Sequence, residues 1–306
     1  MYYCPSQARL AVELAKNNPE IILGNIEWNE FSDGFPNLKV LGSEDLIDVD
    51  VSFLANFHNS QEIFRQLAVI YALPSYGINS LKVFLPFFST GTMDRVAELG
   101  QIVTAKTLAR MLSAIPTSAR AQIIIFDIHA LQEQFYFSDT VRVHCVTGIN
   151  LLLERLKFEG KNHKSLAIAF PDEGAYKRYG QYFNGYEKII CEKRRVGEDR
   201  VITIKEGNPQ GREVMIVDDL ILSGSTMLEC VEVLTRAGAS RVYAYATHGS
   251  FPQGSWQKFL ARSVKLYLTN SCPEVIEEME KYFVSGTDLE IISLAPTIAK
   301  EIIGTN

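Results

Sequence analysis

The stretch VMIVDDLILSGSTMLE, Val214 to Glu229, sets the reading of the whole chain. Four apolar residues end in two adjacent acids, Asp218 and Asp219. Ser223-Gly224-Ser225-Thr226 follows, and the amphipathic segment behind it reads as a helix that stops at Gly238, a natural residue for a helix C-terminus. The apolar run is continuous rather than alternating, as in a strand buried on both faces of a parallel sheet. Ligands of open α/β sheets sit beyond the carboxyl ends of the strands, and Asp218 and Asp219 lie there. The turn over 222–226 would point backbone N–H groups and the hydroxyls of Ser223, Ser225 and Thr226 into one pocket. With a helix N-terminus behind it, that is an anion site best suited to a phosphate. Two carboxylates beside a phosphate repel it unless they hold something else. Vicinal ribose hydroxyls satisfy them, as does a bridging Mg²⁺. The pattern suggests a sugar phosphate; the plainer alternative is a capped helix with acids and serines in a solvated turn.

Outward from this stretch, strand-like and helix-like runs alternate. Residues 21–28, 51–57, 81–88, 121–129, 165–172, 213–219, 241–248 and 264–270 read as strands. Segments 6–17, 103–115 and 223–238 read as amphipathic helices. Alternating β and α predicts an α/β fold. A weak internal repeat is present. VFLPFF precedes Ser89-Thr90-Gly91-Thr92 and then IIIFDIHA, just as VMIVDD precedes LILSGST and then VYAYATHG. Each half sets a small turn after one strand and a histidine after the next. A duplicated α/β unit follows, with domains expected over 1–145 and 146–306.

The chain has 306 residues, and 47% hydrophobic content is ample for a packed core. A formal net charge of -6 argues against a general nucleic-acid surface or an anionic-membrane surface. Five scattered cysteines with no CxxC pair fit free thiols in a reducing compartment. No apolar run approaches the ~20 residues needed to span a bilayer. MYYCPSQARL lacks the basic start and apolar core of a secretory signal. A cytoplasmic protein is expected, with no nucleic-acid and no membrane partner.

VMIVDDLILSGST resembles the ribose-phosphate motif shared by type I phosphoribosyltransferases and ribose-phosphate diphosphokinases, the PRPP synthetases. IIIFDIHALQEQFYF (123–137), FPDEGAYKR (170–178) and CEKRRVGEDR (191–200) resemble segments of the diphosphokinases, the last their catalytic flexible loop. DGFPNL, LPFFSTGT and IKEG are similar to the plant-type, class II group. The likeness is collinear over nearly the whole chain. It implies two similar phosphoribosyltransferase-like domains, each a mostly parallel sheet flanked by helices. It also implies transfer of the β,γ-diphosphoryl group of ATP to the C1 hydroxyl of ribose-5-phosphate, giving PRPP and AMP, with Mg²⁺.

The same resemblance implies roles. Lys193 and Arg195 match the catalytic Lys-x-Arg pair, where cations offset charge on the transferring group; by themselves, KRR reads as a solvated basic turn. VGEDR behind them fits a mobile lid. Asp218, Asp219, Ser223, Gly224, Ser225 and Thr226 match the ribose-5-phosphate site. His129 and Asp172 match Mg²⁺-associated positions, although Mg²⁺ prefers oxygen and His129 could contact phosphate or metal-bound water instead. A core histidine satisfied by backbone is the plain alternative for His129. Phe31, Asp33 and Phe35 match the adenine loop, which in the family comes from a neighbouring subunit, so a homo-oligomer, at least a dimer, is expected. His58, His144 and His163 read as structural or surface residues, and His248 carries no assigned role.

Three departures matter. Asp33 and Phe35 replace Asn and Glu, which loosens purine selectivity. Thr92-Met93 stands where class I enzymes have an ATP-contacting Arg-Gln pair; Arg95 can compensate, or is an exposed arginine at a helix start. Leu222 replaces an Asp. Class II resemblance implies weaker dependence on inorganic phosphate and less inhibition by ADP. Two alternatives stand beside this reading: a PRPP-using phosphoribosyltransferase, and a catalytically inactive regulatory paralogue.

Overall fold

The computed structural model describes residues 1–116, 118–196, 199–283 and 288–304, with backbone alone at 195, 196, 199 and 200. It divides into two compact units: Met1–Val146 with Leu294–Asn306, and Thr147–Ser293.

The first unit runs β1 (Tyr2–Tyr3), α1 (Ala8–Asn17), β2 (Ile26–Glu30), β3 (Pro36–Val40), β4 (Asp50–Leu54) and α2 (Ser60–Ala72). It continues with β5 (Ser80–Leu85), α3 (Thr104–Ser113), β6 (Arg120–Phe126) and β7 (Arg142–Val146). Strands β1, β4, β5, β6 and β7 pair in that order, all parallel. The parallel strands are the runs in which apolar residues are continuous, as in Val83-Phe84-Leu85 and Ile123-Ile124-Ile125, all fully buried. Residues 21–28 do not form one strand. The segment before Ile26 follows the chain start, with Gly24 N–H donating to the Met1 carbonyl at 2.9 Å. Among the described residues, β2 pairs only with β3, as an antiparallel hairpin outside the main sheet.

The second unit runs α4 (Ile149–Phe158), β8 (Leu166–Phe170), α5 (Glu173–Tyr179), β9 (Glu187–Val196), β10 (Asp199–Glu206), β11 (Glu213–Ile221) and α6 (Ser225–Arg236). Then come β12 (Arg241–Gly249), α7 (Gln257–Leu260), β13 (Lys265–Thr269), α8 (Pro273–Met279) and β14 (Leu289–Ile292). The strand order is β10-β9-β8-β11-β12-β13-β14, parallel throughout except for the antiparallel β9–β10 edge. Helix α9 (Ala295–Ile303), expected with the second half, belongs to the first unit. It packs on α1, and the Lys82 ammonium of β5 donates to the Glu301 carbonyl.

Among the described residues, no helix is long and apolar enough to cross a membrane. The architecture is α/β, with parallel sheets flanked by helices.

Candidate active site

From β8 the chain moves outward to β9, and from β11 it moves the other way to β12. The gap between β8 and β11 is therefore a topological switch point, the place where such sheets bind ligands. β11 deepens it. Its pairing with β8 stops at Ile216↔Ala169, while its pairing with β12 continues to Ile221↔Gly249. Asp218 and Asp219 sit on the stretch of β11 that β8 no longer covers.

Burial pushes the Asp218 carboxyl well above the usual carboxylate range, and the charges of Asp219 and Asp172 push it further. The Asp219 N–H donates to Asp218 Oδ1 at 2.9 Å. Asp219 is 7% exposed, and its Oδ2 lies 3.7 Å from the Arg178 guanidinium on α5. Arg178 itself stacks on the Tyr179 ring, 4.9 Å to the centroid. Arg178 lies within FPDEGAYKR, and nothing in that local pattern marks it as the partner of Asp219.

Asp172 ends the segment after β8 and caps α5, its Oδ1 accepting from the Ala175 N–H at 2.9 Å. An aspartate at this position stabilises a helix by satisfying an otherwise unpaired N–H. Its charge still reaches Asp218.

Beyond Ile221 the chain turns through Leu222 and Ser223 to Gly224, which takes the left-handed conformation (φ +78). Any Cβ there would lie 2.4 Å from the Phe259 ring, so glycine is required twice over, by backbone and by space. Helix α6 starts at Ser225 with no side-chain cap from Gly224. The Ser223 and Ser225 hydroxyls are 3.2 Å apart, and Ser225 N–H faces Ser223 Oγ at 3.5 Å. Exposed hydroxyls, first-turn N–H groups and the positive end of a twelve-residue helix converge there.

Lys193 reaches this turn: its ammonium donates to Thr226 Oγ1 at 2.9 Å. Two residues earlier on the same strand face, Cys191 accepts from the thiol of Cys230, four residues further along α6. Two strand residues (~6.7 Å) and four helix residues (~6 Å) span nearly equal distances, so β9 seats along α6 at two points. The stretch expected to be a lid is, in its described residues, this β9–β10 hairpin, with Arg195 opposite Arg200 and Val196 opposite Asp199. The Arg195 side chain and residues Gly197 and Glu198 lie outside the described residues.

In the first unit, His129 is exposed, not a core histidine. The turn after β5 meets it: a Cβ on Gly91 would lie 3.3 Å from His129 Cβ and 3.4 Å from Glu133 Oε2. Glu133 is fully buried and accepts from the Ala130 N–H at 2.7 Å, which shapes the His129 loop. Arg95 is open to solvent, its guanidinium 3.5 Å from Asp94. Phe31 and Phe35, 55% and 63% exposed, stand at the tip of the β2–β3 hairpin. Asp33 closes that tip by accepting from the Phe35 N–H at 3.1 Å. His248, given no role, is buried, and its Nδ1 bonds Ser271 at 3.0 Å.

Residues 194–302 match the phosphoribosyl synthetase-associated domain. The fold matches the crystal structure of phosphoribosylpyrophosphate synthetase from Mycobacterium smegmatis with a TM-score of 0.81, covering 99% of this chain and 96% of that one. At 22% identity, that likeness speaks for the fold. The sequence relatives are more specific. Ribose-phosphate pyrophosphokinase 4 of Oryza sativa subsp. japonica is 42% identical over 309 residues, 98% of this chain and 94% of that protein. The same plant's chloroplastic ribose-phosphate pyrophosphokinase 3 is 42% identical over 312 residues, 99% of this chain and 75% of that protein. The chain belongs to the ribose-phosphate pyrophosphokinase family, on its plant-type branch.

Proposed function

We propose that this enzyme transfers the β,γ-diphosphoryl group of ATP to the C1 hydroxyl of ribose-5-phosphate, giving PRPP and AMP, in the phosphate-independent class II manner. The observation that carries the reading is the 2.9 Å bond from Lys193 to Thr226, which joins the cation of the catalytic segment to the phosphate turn.

In this reading Ser223, Gly224, Ser225 and Thr226 hold the 5-phosphate. Asp218 and Asp219 accept hydrogen bonds from the ribose hydroxyls, and Arg178 keeps Asp219 oriented. The C1 hydroxyl oxygen attacks the β-phosphorus and its proton passes to solvent, the bond from that phosphorus to the α-phosphate oxygen breaks, and AMP leaves. Lys193 and Arg195 offset the charge that spreads over the equatorial oxygens. Phe31, Asp33 and Phe35 take the adenine, and Arg95 and His129 the ATP phosphates, in a homo-oligomer.

Mg²⁺ binds through one or two carboxylates together with substrate phosphates and water, not through an all-protein cage. The residues fit that mode. Among the described residues there is no preformed cage, yet the Asp172 charge acts on Asp218. His129 and Asp172 are the residues assigned to the ion. When bound, it supplies neutralisation of phosphate charge. A cytoplasmic location goes with this reading: the five cysteines form no disulfide among the described residues, as suits a reducing compartment.

The test is AMP and PRPP formation from ATP, ribose-5-phosphate and Mg²⁺, with and without inorganic phosphate. Turnover without phosphate is expected. Turnover only with phosphate would keep the transfer and remove the class II assignment. Ribose-5-phosphate binding with no AMP formed would favour the inactive regulatory paralogue. Lys193→Ala should lower kcat by roughly 10²–10³; an unchanged rate removes its role.

A further inference from the structure

The phosphate turn does not shape itself. Its backbone is held from outside by residues 249–260, which carry no part of the motif. Ser250 N–H donates to the Ile221 carbonyl at 3.0 Å, and the Ser255 hydroxyl to the Leu222 carbonyl at 3.4 Å. Phe259, fully buried, closes against the Cα of Gly224, which leaves no room for a Cβ. Phe251 stacks edge-on against Phe259, ring centroids 5.7 Å apart. Phe251 itself sits at φ +42, in the left-handed region. A bulky residue is rarely found there; the conformation is strained and persists where the surroundings over-determine it. The strain therefore marks a constrained segment next to the turn.

We propose that Phe251 and Phe259 are positioning residues for the sugar phosphate: together they hold Gly224 left-handed and so set the spacing of the N–H groups and hydroxyls at Ser223–Thr226. The inference rests on the sugar-phosphate reading of that turn. Neither ring touches substrate. Both act through the backbone of the turn, and an anion cradle loosened by a fraction of an ångström loses affinity because its donors no longer converge.

The test separates this role from plain core packing. Ribose-5-phosphate binding is measured by calorimetry, and KM for each substrate by AMP formation, in Phe259→Leu and Phe259→Ala. Ribose-5-phosphate should bind about tenfold more weakly to Phe259→Ala, with Phe259→Leu between it and the unaltered protein, while KM for ATP stays within about twofold. A general packing role would move both substrates together or lower only the melting temperature, and either result overturns the inference. Phe259→Leu keeps the proposal testable where Phe259→Ala fails to fold. The pair Gly224→Ala and Gly224→Ala/Phe259→Ala gives a second readout. Removing the ring should return part of the affinity lost by the added methyl, and a strictly additive loss overturns the coupling. Absence of ribose-5-phosphate binding to the unaltered protein overturns the sugar-phosphate reading and this inference with it. Binding that Phe259→Leu leaves unchanged overturns the inference alone.

Discussion

Asp172 shows how one side chain serves structure and chemistry at once. It caps α5 through the Ala175 N–H, and its charge acts on Asp218. The two roles separate by substitution. Asn caps a helix about as well as Asp, whereas Ala loses about 1 kcal/mol. Asp172→Asn should leave the melting temperature nearly unchanged and still reduce PRPP formation, because the charge is gone. Asp172→Ala should lower both. Equal activity in Asp172→Asn and the unaltered protein would leave only the cap. At this scale the acid pair and the hydroxyl turn were legible, since each lies in a contiguous motif, whereas Lys193 stood out only through the family resemblance. Arg178 and Phe259 were not legible: their partners Asp219 and Gly224 are remote in the chain and meet them only in the fold.

Among the elements, the antiparallel β9–β10 pair was not among the expected strands, and the expected lid, VGEDR, falls on Gly197 and Glu198 and on side chains outside the described residues. A polar, glycine-containing stretch suggested a lid. At a sheet edge, though, β10 needs only one buried face, and Ile202 supplies it while Lys205 reaches out to Glu173. The other telling element is α4, tied to the far side of the same sheet by Glu159. Glu159 accepts from the Tyr267 hydroxyl at 2.7 Å and from Arg155 at 3.0 Å, and Lys265 lies 3.6 Å away. Arg155 also pairs with Glu290 of β14 at 2.9 Å. Burial pushes the Glu159 carboxyl up, but these hydrogen bonds and cations outweigh it and hold the group below its ordinary value. A depressed carboxyl contributes stability that is present above its unfolded value and lost as pH falls through the folded one. Glu159→Gln should therefore lower unfolding free energy at pH 7 by about 1.5–3 kcal/mol. The gap from the unaltered protein should narrow as the buffer is taken below the ordinary glutamate range, read by urea titration. A gap that does not change with pH would mean that packing, not charge, holds α4.

Across the whole molecule, the chain leaves its first unit at Val146 and returns to it at Leu294. Leu294, the residue before α9, and Ile298 within it are both fully buried and belong to that unit. Burying a side chain of this size contributes about 1.5–3 kcal/mol. Deleting everything after Ser293 should then cost the first unit about 3–6 kcal/mol, seen as an earlier unfolding transition for that unit in calorimetry, with the second unit's transition unmoved. A single unshifted transition would show that α9 is dispensable.

What the sequence determined by itself was local. Continuous apolar runs specify strands buried on both faces, amphipathic segments specify the helices that cover them, and an acid pair before a small hydroxyl turn marks a strand end of the kind where such sheets bind ligands. Each depends on residues a few positions apart, whose relation is set by covalent geometry. Tertiary structure alone decided which strands neighbour which, and hence that β8 and β11 open the switch point; it also brought α9 back to the first unit. Phe259 reached Gly224, and Arg178 reached Asp219, by the same means. Those contacts join residues far apart in the chain, so they exist only once packing has brought the elements together.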